Sequence, residues 1–237
     1  MKLGLVLVLS LVAAHAGTTR PTVYAASSLT DAFPKIAPQA RFSFAGSNAL
    51  AAQIRQGAPA DVFASANMKI PLGLYGDGFC SKPAVFTRNS LVLIVPRRNP
   101  AHIHSVDDLR HKGVKLVIAA KGVPVGDYTL QVLQKLKLTR ALKNVVSRET
   151  DVREVLAKVA LDEADAGFVY RTDARTVPKK VRTIAIPPRG RANIEYGICV
   201  VLASGNKPAA QAFVKRVLGK PGQTVLLSYG FLPRRNP

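Results

Sequence analysis

Residues 22–56 read TVYAASSLTDAFPKIAPQARFSFAGSNALAAQIRQ, and the rhythm of this stretch decides the fold. Residues 22–26 form a short apolar run that stops at a pair of serines, and residues 29–36 then repeat apolar side chains at the period of a helix. The pattern returns at once, with 41–44 as a strand, Gly46-Ser47 as a turn and 49–56 as a helix. Strand, short Ser- or Gly-bearing turn and helix, repeated, predict α/β layers.

Toward the C terminus the theme continues. Residues 61–64 read as a strand leading into a polar, Pro-containing connection, and LVLIV at 91–95 reads as a fully buried strand ended by Pro96. A second series follows: strand 116–120, helix 129–138, strand 144–147, helix 151–160 and strand 166–170. Strands at 181–186 and 194–202 and helices at 208–218 and 221–228 close the chain. The loops 96–111 and 187–193 collect Pro, Arg, Asn and Gly, so the chain is expected to cross between two lobes near them. The expected division is a first lobe of 17–93 plus 197–237 and an inserted second lobe of 94–196.

Toward the N terminus, Lys2 precedes an apolar run over 3–14 and the small-residue pattern Ala14-His15-Ala16, which reads as a secretory signal peptide over 1–16. The run is too short for a membrane anchor. Cleavage would leave 221 of the 237 residues, a length that suits two lobes. The formal charge of +20 would fall only to +19, since Lys2 alone leaves. A nucleic acid, an anionic membrane or a field that draws small anions would each explain that balance, but export argues against the first. The cations stand singly or in pairs such as Arg97-Arg98, Lys179-Lys180 and Arg234-Arg235, never in a dense tail, and so read first as solvated surface. Two cysteines, Cys80 and Cys199, do not build a disulfide scaffold; a single bridge and two inert core thiols both remain open.

Candidate chemistry gathers at strand-to-helix turns. Ser28 and Asp31 have capping-box spacing, so Ser28 is expected to start a helix; its hydroxyl either caps that helix or, with the free N–H groups nearby, faces an anion. Ser47 repeats the choice after Gly46, whose missing side chain lets backbone approach a ligand. Val125, in the turn 121–128, and Val152, in the first turn of the helix after Asp151, can donate only through their backbones, and core packing is the ordinary role of either. Tyr170 ends a strand, where a phenol usually meets water at the edge of a core; as a binder it offers one neutral O–H.

The segments AASSLTDAF (25–33), FAGSNALAAQI (44–54), GAPADVFASA (57–66), VPVGDY (123–128), ETDVREVL (149–156) and ADAGFVYRTDA (164–174) resemble, in order, the molybdate-binding proteins of ABC importers. The resemblance implies a two-lobed type II periplasmic-binding fold and an oxyanion held by hydroxyl and main-chain N–H groups. Carried over motif by motif, the binding role falls on Ser28, Ser47, Val125, Val152 and Tyr170. Val125 departs from an alanine common in relatives, which matters little to a backbone donor. Molybdate near neutral pH is a dianion without a proton, so a donor-only pocket complements it, whereas phosphate keeps a proton and wants an acceptor as well.

The resemblance further implies a periplasmic or envelope-exterior monomer, soluble once its signal peptide is removed, that captures molybdate or tungstate and meets a membrane permease with its ATPase. It implies no cofactor, no protein ligand to metal (molybdenum being bound only as its oxyanion), no catalysis and no nucleic acid. Sulfate is proton-free too and remains the alternative ligand; a basic nucleic-acid binder is a more distant one. An enzyme finds little support: no G-x-S-x-G, H-E-x-x-H or P-loop pattern occurs, and His102, His104 and His111 stand in loop-like sequence that reads as solvated.

Overall fold

The computed structural model describes residues 20–234, so the expected signal peptide lies outside the described residues. Two five-stranded mixed sheets carry the chain. The first holds β1 (Thr22–Ala26), β2 (Arg41–Ala45), β3 (Val62–Ser65), β4 (Ala84–Asn89) and β10 (Ile194–Val200), in the order β2-β1-β3-β10-β4. The second holds β5 (Leu91–Pro96), β6 (Leu116–Ala119), β7 (Val145–Glu149), β8 (Ala166–Tyr170) and β9 (Val181–Ala185), in the order β7-β6-β8-β5-β9. Helices α1 (Phe33–Ile36), α2 (Ser47–Arg55), α3 (Lys69–Gly76), α7 (Lys207–Leu218) and α8 (Lys220–Ser228) belong with the first sheet. Helices α4 (Pro124–Lys135), α5 (Val152–Ala160) and α6 (Arg171–Ala174) belong with the second. This is the two-lobed α/β fold that the alternation and the resemblance predicted.

Strand direction positions the site. β1 runs parallel to β2 and β3, and β6 runs parallel to β7 and β8, so in each lobe three strands finish at the same edge. Ligands of α/β sheets bind beyond such carboxyl ends. Side chains alternate across the first sheet: Val62 and Ala64 face the larger core with Phe33 and Phe86, while Phe63 between them faces a smaller cluster with Leu50, Ile54 and Leu74. Cys80 and Cys199 lie in that smaller cluster, buried and unbridged.

Several local expectations need correction. The helix expected over 29–36 is a 3-10 turn, Ser27–Leu29, followed by the single turn of α1; Pro34 removes a donor that a longer helix would need. The helix expected from 129 begins at Pro124, because proline at the first helical position has its φ already set and leaves no N–H to satisfy. The connection after β3 contains α3, with Pro71 in its first turn, and β4 went unread.

The change of sheet falls at Ser90, between β4 and β5, rather than in the loop 96–111, and the return runs between β9 and β10. LVLIV therefore lies wholly in the second sheet, between β8 and β9. That pairing explains its unbroken apolar run, since the strand is buried along its length. Leu93, fully buried at its centre, is expected to cost about 3 kcal/mol of unfolding free energy when replaced by alanine, measured by urea denaturation.

Candidate functional site

The strand ends of both lobes meet around one small pocket. From the first lobe it is lined by Ala26–Ser28 after β1, Ala45–Ser47 after β2 and Ala66 after β3. From the second come Val123–Val125 after β6, Asp151 and Val152 after β7, and Tyr170 at the end of β8. Ser28, Ser47, Val125, Val152 and Tyr170, the five residues singled out in the sequence, are all in this wall.

Neither serine caps a helix, contrary to the simpler sequence expectation. Ser28 Oγ lies 2.9 Å from the hydroxyl of Tyr196 on β10, and both residues are buried. Ser47 is the first residue of α2, and its Oγ accepts a hydrogen bond of 3.1 Å from the N–H of Ala66. The Ser47 oxygen is thus occupied from behind and its proton is left to donate.

The two helix starts of the second lobe add main-chain donors. Pro124 has no N–H, and Asp127 N–H already bonds back to the Val123 carbonyl, so the N–H groups of Val125 and Gly126 have no intrahelical acceptor. Gly126 lets α4 begin directly against β6: a Cβ there would stand 2.2 Å from the Ala120 carbonyl oxygen. At α5 the Asp151 carboxylate caps the helix by accepting from Arg153 and Glu154 N–H at 2.6 and 3.2 Å. That leaves the Val152 N–H as the uncapped amide of the turn, and both capping bonds fall on one oxygen, Oδ1, of the one charged group in the pocket wall.

Tyr170 departs from its expected contact with water. It is 1% exposed, and its hydroxyl has no hydrogen-bond partner. Burial, with Tyr196 beside it at 5.6 Å between ring centroids, pushes the phenol well above its ordinary pKa and keeps it protonated. A buried hydroxyl without a partner costs about 1–3 kcal/mol, a deficit that a guest accepting from it would relieve.

The model of the bacterial extracellular solute-binding protein family matches residues 21–232. The chain belongs to that family. Molybdate-binding protein ModA of Mycobacterium tuberculosis is 35% identical to this solute-binding protein over 225 residues, which span 91% of this chain and 85% of the relative. The Azotobacter vinelandii periplasmic molybdate-binding protein superposes with a TM-score of 0.80 at 23% identity, covering 91% of this chain and 100% of that one. The sulfate-binding protein SubI from Mycobacterium tuberculosis gives 0.79 at 19%, covering 91% and 87%. At these identities the two structures bear on the fold alone.

The solute-binding protein also holds its lobes together by contacts that the sequence did not announce. Arg153 on α5 reaches Asp31 of the first lobe through Nη2 at 2.5 Å and Asp173 of its own lobe through Nε at 2.7 Å. Asp31, read as half of a capping box, is half of a lobe-to-lobe ion pair instead. Gly46 serves the same meeting, since a Cβ there would lie 2.4 Å from the Thr150 carbonyl oxygen across the cleft. Asn89 at the end of β4 donates through Nδ2 to Thr172 Oγ1 of the second lobe at 2.9 Å. The contacts of Ala66, Asn89, Arg153 and Tyr196 had no signal in the sequence, because the partners lie 19 to 168 residues away.

Asp173 is completely buried and its Oδ2 has no partner. Burial raises its pKa to about 6, against the opposing pull of Arg153. A carboxyl whose folded pKa is raised favours the fold while protonated, and that contribution is lost as pH climbs from the ordinary value of 3.8 through about 6. The stability difference between wild type and Asp173→Asn should therefore fall by about 3 kcal/mol over that window and level off above it, measured by urea unfolding at a series of pH values.

Proposed function

We propose that this protein captures molybdate, and tungstate with it, and delivers it to a membrane importer. The observation that carries the reading is that Ser28, Ser47, Tyr170, Val125 and Val152 line one pocket, where they can offer three hydroxyls and two main-chain N–H groups, and that the one carboxylate there caps a helix through Oδ1. Such donors suit a small guest that accepts at its oxygens. Molybdate is such a guest, and the names of the relatives point to the same anion. Hydrogen bonds to a charged partner contribute about 1.5–3 kcal/mol each, so five supply about 8–15 before ordering and desolvation. Micromolar binding needs about 8 kcal/mol net, which the upper part of that range supplies after such costs.

Under this reading the oxyanion is cargo rather than cofactor, held by oxygen contacts without a protein ligand to its metal, and the chain performs no catalysis. Its partners are a permease and an ATPase met through the lobe rims. Export by the segment 1–16 would deliver a monomer to the periplasm or the envelope exterior. Among the described residues no helix is long and apolar enough to cross a membrane. The net charge of +20 serves to gather dianions, because a long-range positive field raises encounter rates.

A thermal-shift screen against molybdate, tungstate, sulfate, phosphate and chromate tests the assignment. Molybdate and tungstate should raise the melting temperature most, and a larger response to sulfate would reassign the ligand. Calorimetry should show Ser28→Ala and Ser47→Ala each weakening molybdate about tenfold or more, with unfolding temperatures little changed. Gly46→Ala should fold yet fail to contract on adding molybdate in small-angle scattering, because the new methyl group meets Thr150 before the lobes do. Stopped-flow association should slow as ionic strength rises; a rate indifferent to salt would remove the role given to the charge.

A further inference from the structure

We propose that Tyr196 and Asn89 fix the direction in which Ser28 hydrogen-bonds, and thereby make the pocket reject oxyanions that carry a proton. The inference rests on the oxyanion reading of the pocket and names two positioning residues outside its wall.

The direction follows from groups that can act in one sense only. The backbone N–H of Ser90 donates to the side-chain oxygen of Asn89 at 2.9 Å. That contact fixes which end of the Asn89 amide is nitrogen, and its two hydrogens go to Thr172 Oγ1 at 2.9 Å and to Tyr196 Oη at 3.2 Å. Having accepted from Asn89, Tyr196 still has one proton to place. Among the described residues its remaining partner at hydrogen-bond distance is Ser28 Oγ, at 2.9 Å, the neighbouring Tyr170 hydroxyl making no hydrogen bond. Tyr196 therefore donates to Ser28, and the proton of Ser28 is left for the pocket that Ser28 lines.

All four side chains are buried, at 6% exposure or less, so water does not scramble the order. Burial also raises the Tyr196 phenol well above its ordinary pKa and keeps its proton in place. Ser47 reaches the same polarity by a separate route, since the Ala66 N–H can only donate to it.

A pocket locked in this sense turns the protons of Ser28 and Ser47 toward the guest, so the proton of hydrogen phosphate would face a donor with a donor at those two positions. Molybdate and sulfate lack that proton and meet no such penalty. Ser28 alone would be free to turn either way, because a hydroxyl both donates and accepts; the chain behind it removes the choice.

Replacing Asn89 by aspartate reverses the chain. One carboxylate oxygen still accepts from Ser90, and the other now accepts the proton of Tyr196, which in turn accepts from Ser28 and leaves a Ser28 lone pair facing the pocket. The test is calorimetric titration of the full protein with molybdate, sulfate and phosphate at about pH 8, where phosphate is a singly protonated dianion. The three anions then carry equal charge, so the added carboxylate repels them alike and the ratio of affinities is the readout.

Wild type should prefer molybdate and sulfate over hydrogen phosphate by about 100-fold or more, and Asn89→Asp should narrow that preference at least about tenfold. Tyr196→Phe, which frees Ser28 without adding charge, should weaken molybdate about three- to tenfold and narrow the preference by a similar factor. It carries the test if the aspartate variant does not melt cooperatively. Equal changes for all three anions in the variant that folds would overturn the proposal, as would wild-type protein that takes hydrogen phosphate as tightly as sulfate. Binding of sulfate without molybdate would sink the molybdate reading alone, with the relay still read from sulfate against phosphate; binding of none would sink both.

Discussion

Parallel pairing within each sheet is the constraint on which the other features depend. Because β1, β2 and β3 share one direction and β6, β7 and β8 share another, six chain segments leave their sheets at the cleft, and each must turn there. A turn from a strand into a helix exposes amides that the helix cannot satisfy. The fold thus manufactures donors at the one place where the lobes meet, and the residues around them decide how many stay free: Asp151 takes two at α5 and leaves Val152, while Pro124 removes one at α4 and leaves Val125 and Gly126.

The charge of the molecule and the polarity of its pocket are separate devices. Lysines and arginines give the chain its +20, yet none of them lines the pocket, where the single charged group is a capped carboxylate. Arg153 joins the two lobes, and two carboxylates already engage it. The surface field acts over long distance and is screened by salt, whereas neutral donors act only at contact. A pocket built from guanidinium groups would bind anions more strongly and distinguish them less.

Reading the sequence succeeded where local pattern governs. Short apolar runs located β1, β5 and β8, period-3.6 spacing located α5 and α7, and Gly46-Ser47 and Asp151-Val152 stood out as turns because their side chains are small or capping. It failed where tertiary contact overrides local preference. Ser28 with Asp31 has the spacing of a capping box, but Tyr196 and Arg153, distant in sequence, compete for both side chains and win. The change of lobe at Ser90 was equally hidden, since a single residue between two strands carries none of the Pro and Gly that mark a long connection. The five pocket residues were legible through the family resemblance; the groups that orient and close the pocket lie outside the quoted motifs or act across the cleft, and only the fold brings them together.

The approach of Gly46 to the Thr150 carbonyl bears on how such a protein sets the width of its cavity. Because Gly46 carries no side chain, main chain meets main chain at this point, and the gap between the lobes is set there by backbone. Wall side chains such as Val125 can then vary in bulk without shifting the resting distance between the halves. Ion size would be gauged against a rigid frame, and a lineage drifting toward a larger or smaller guest would have to rebuild a turn rather than exchange a residue.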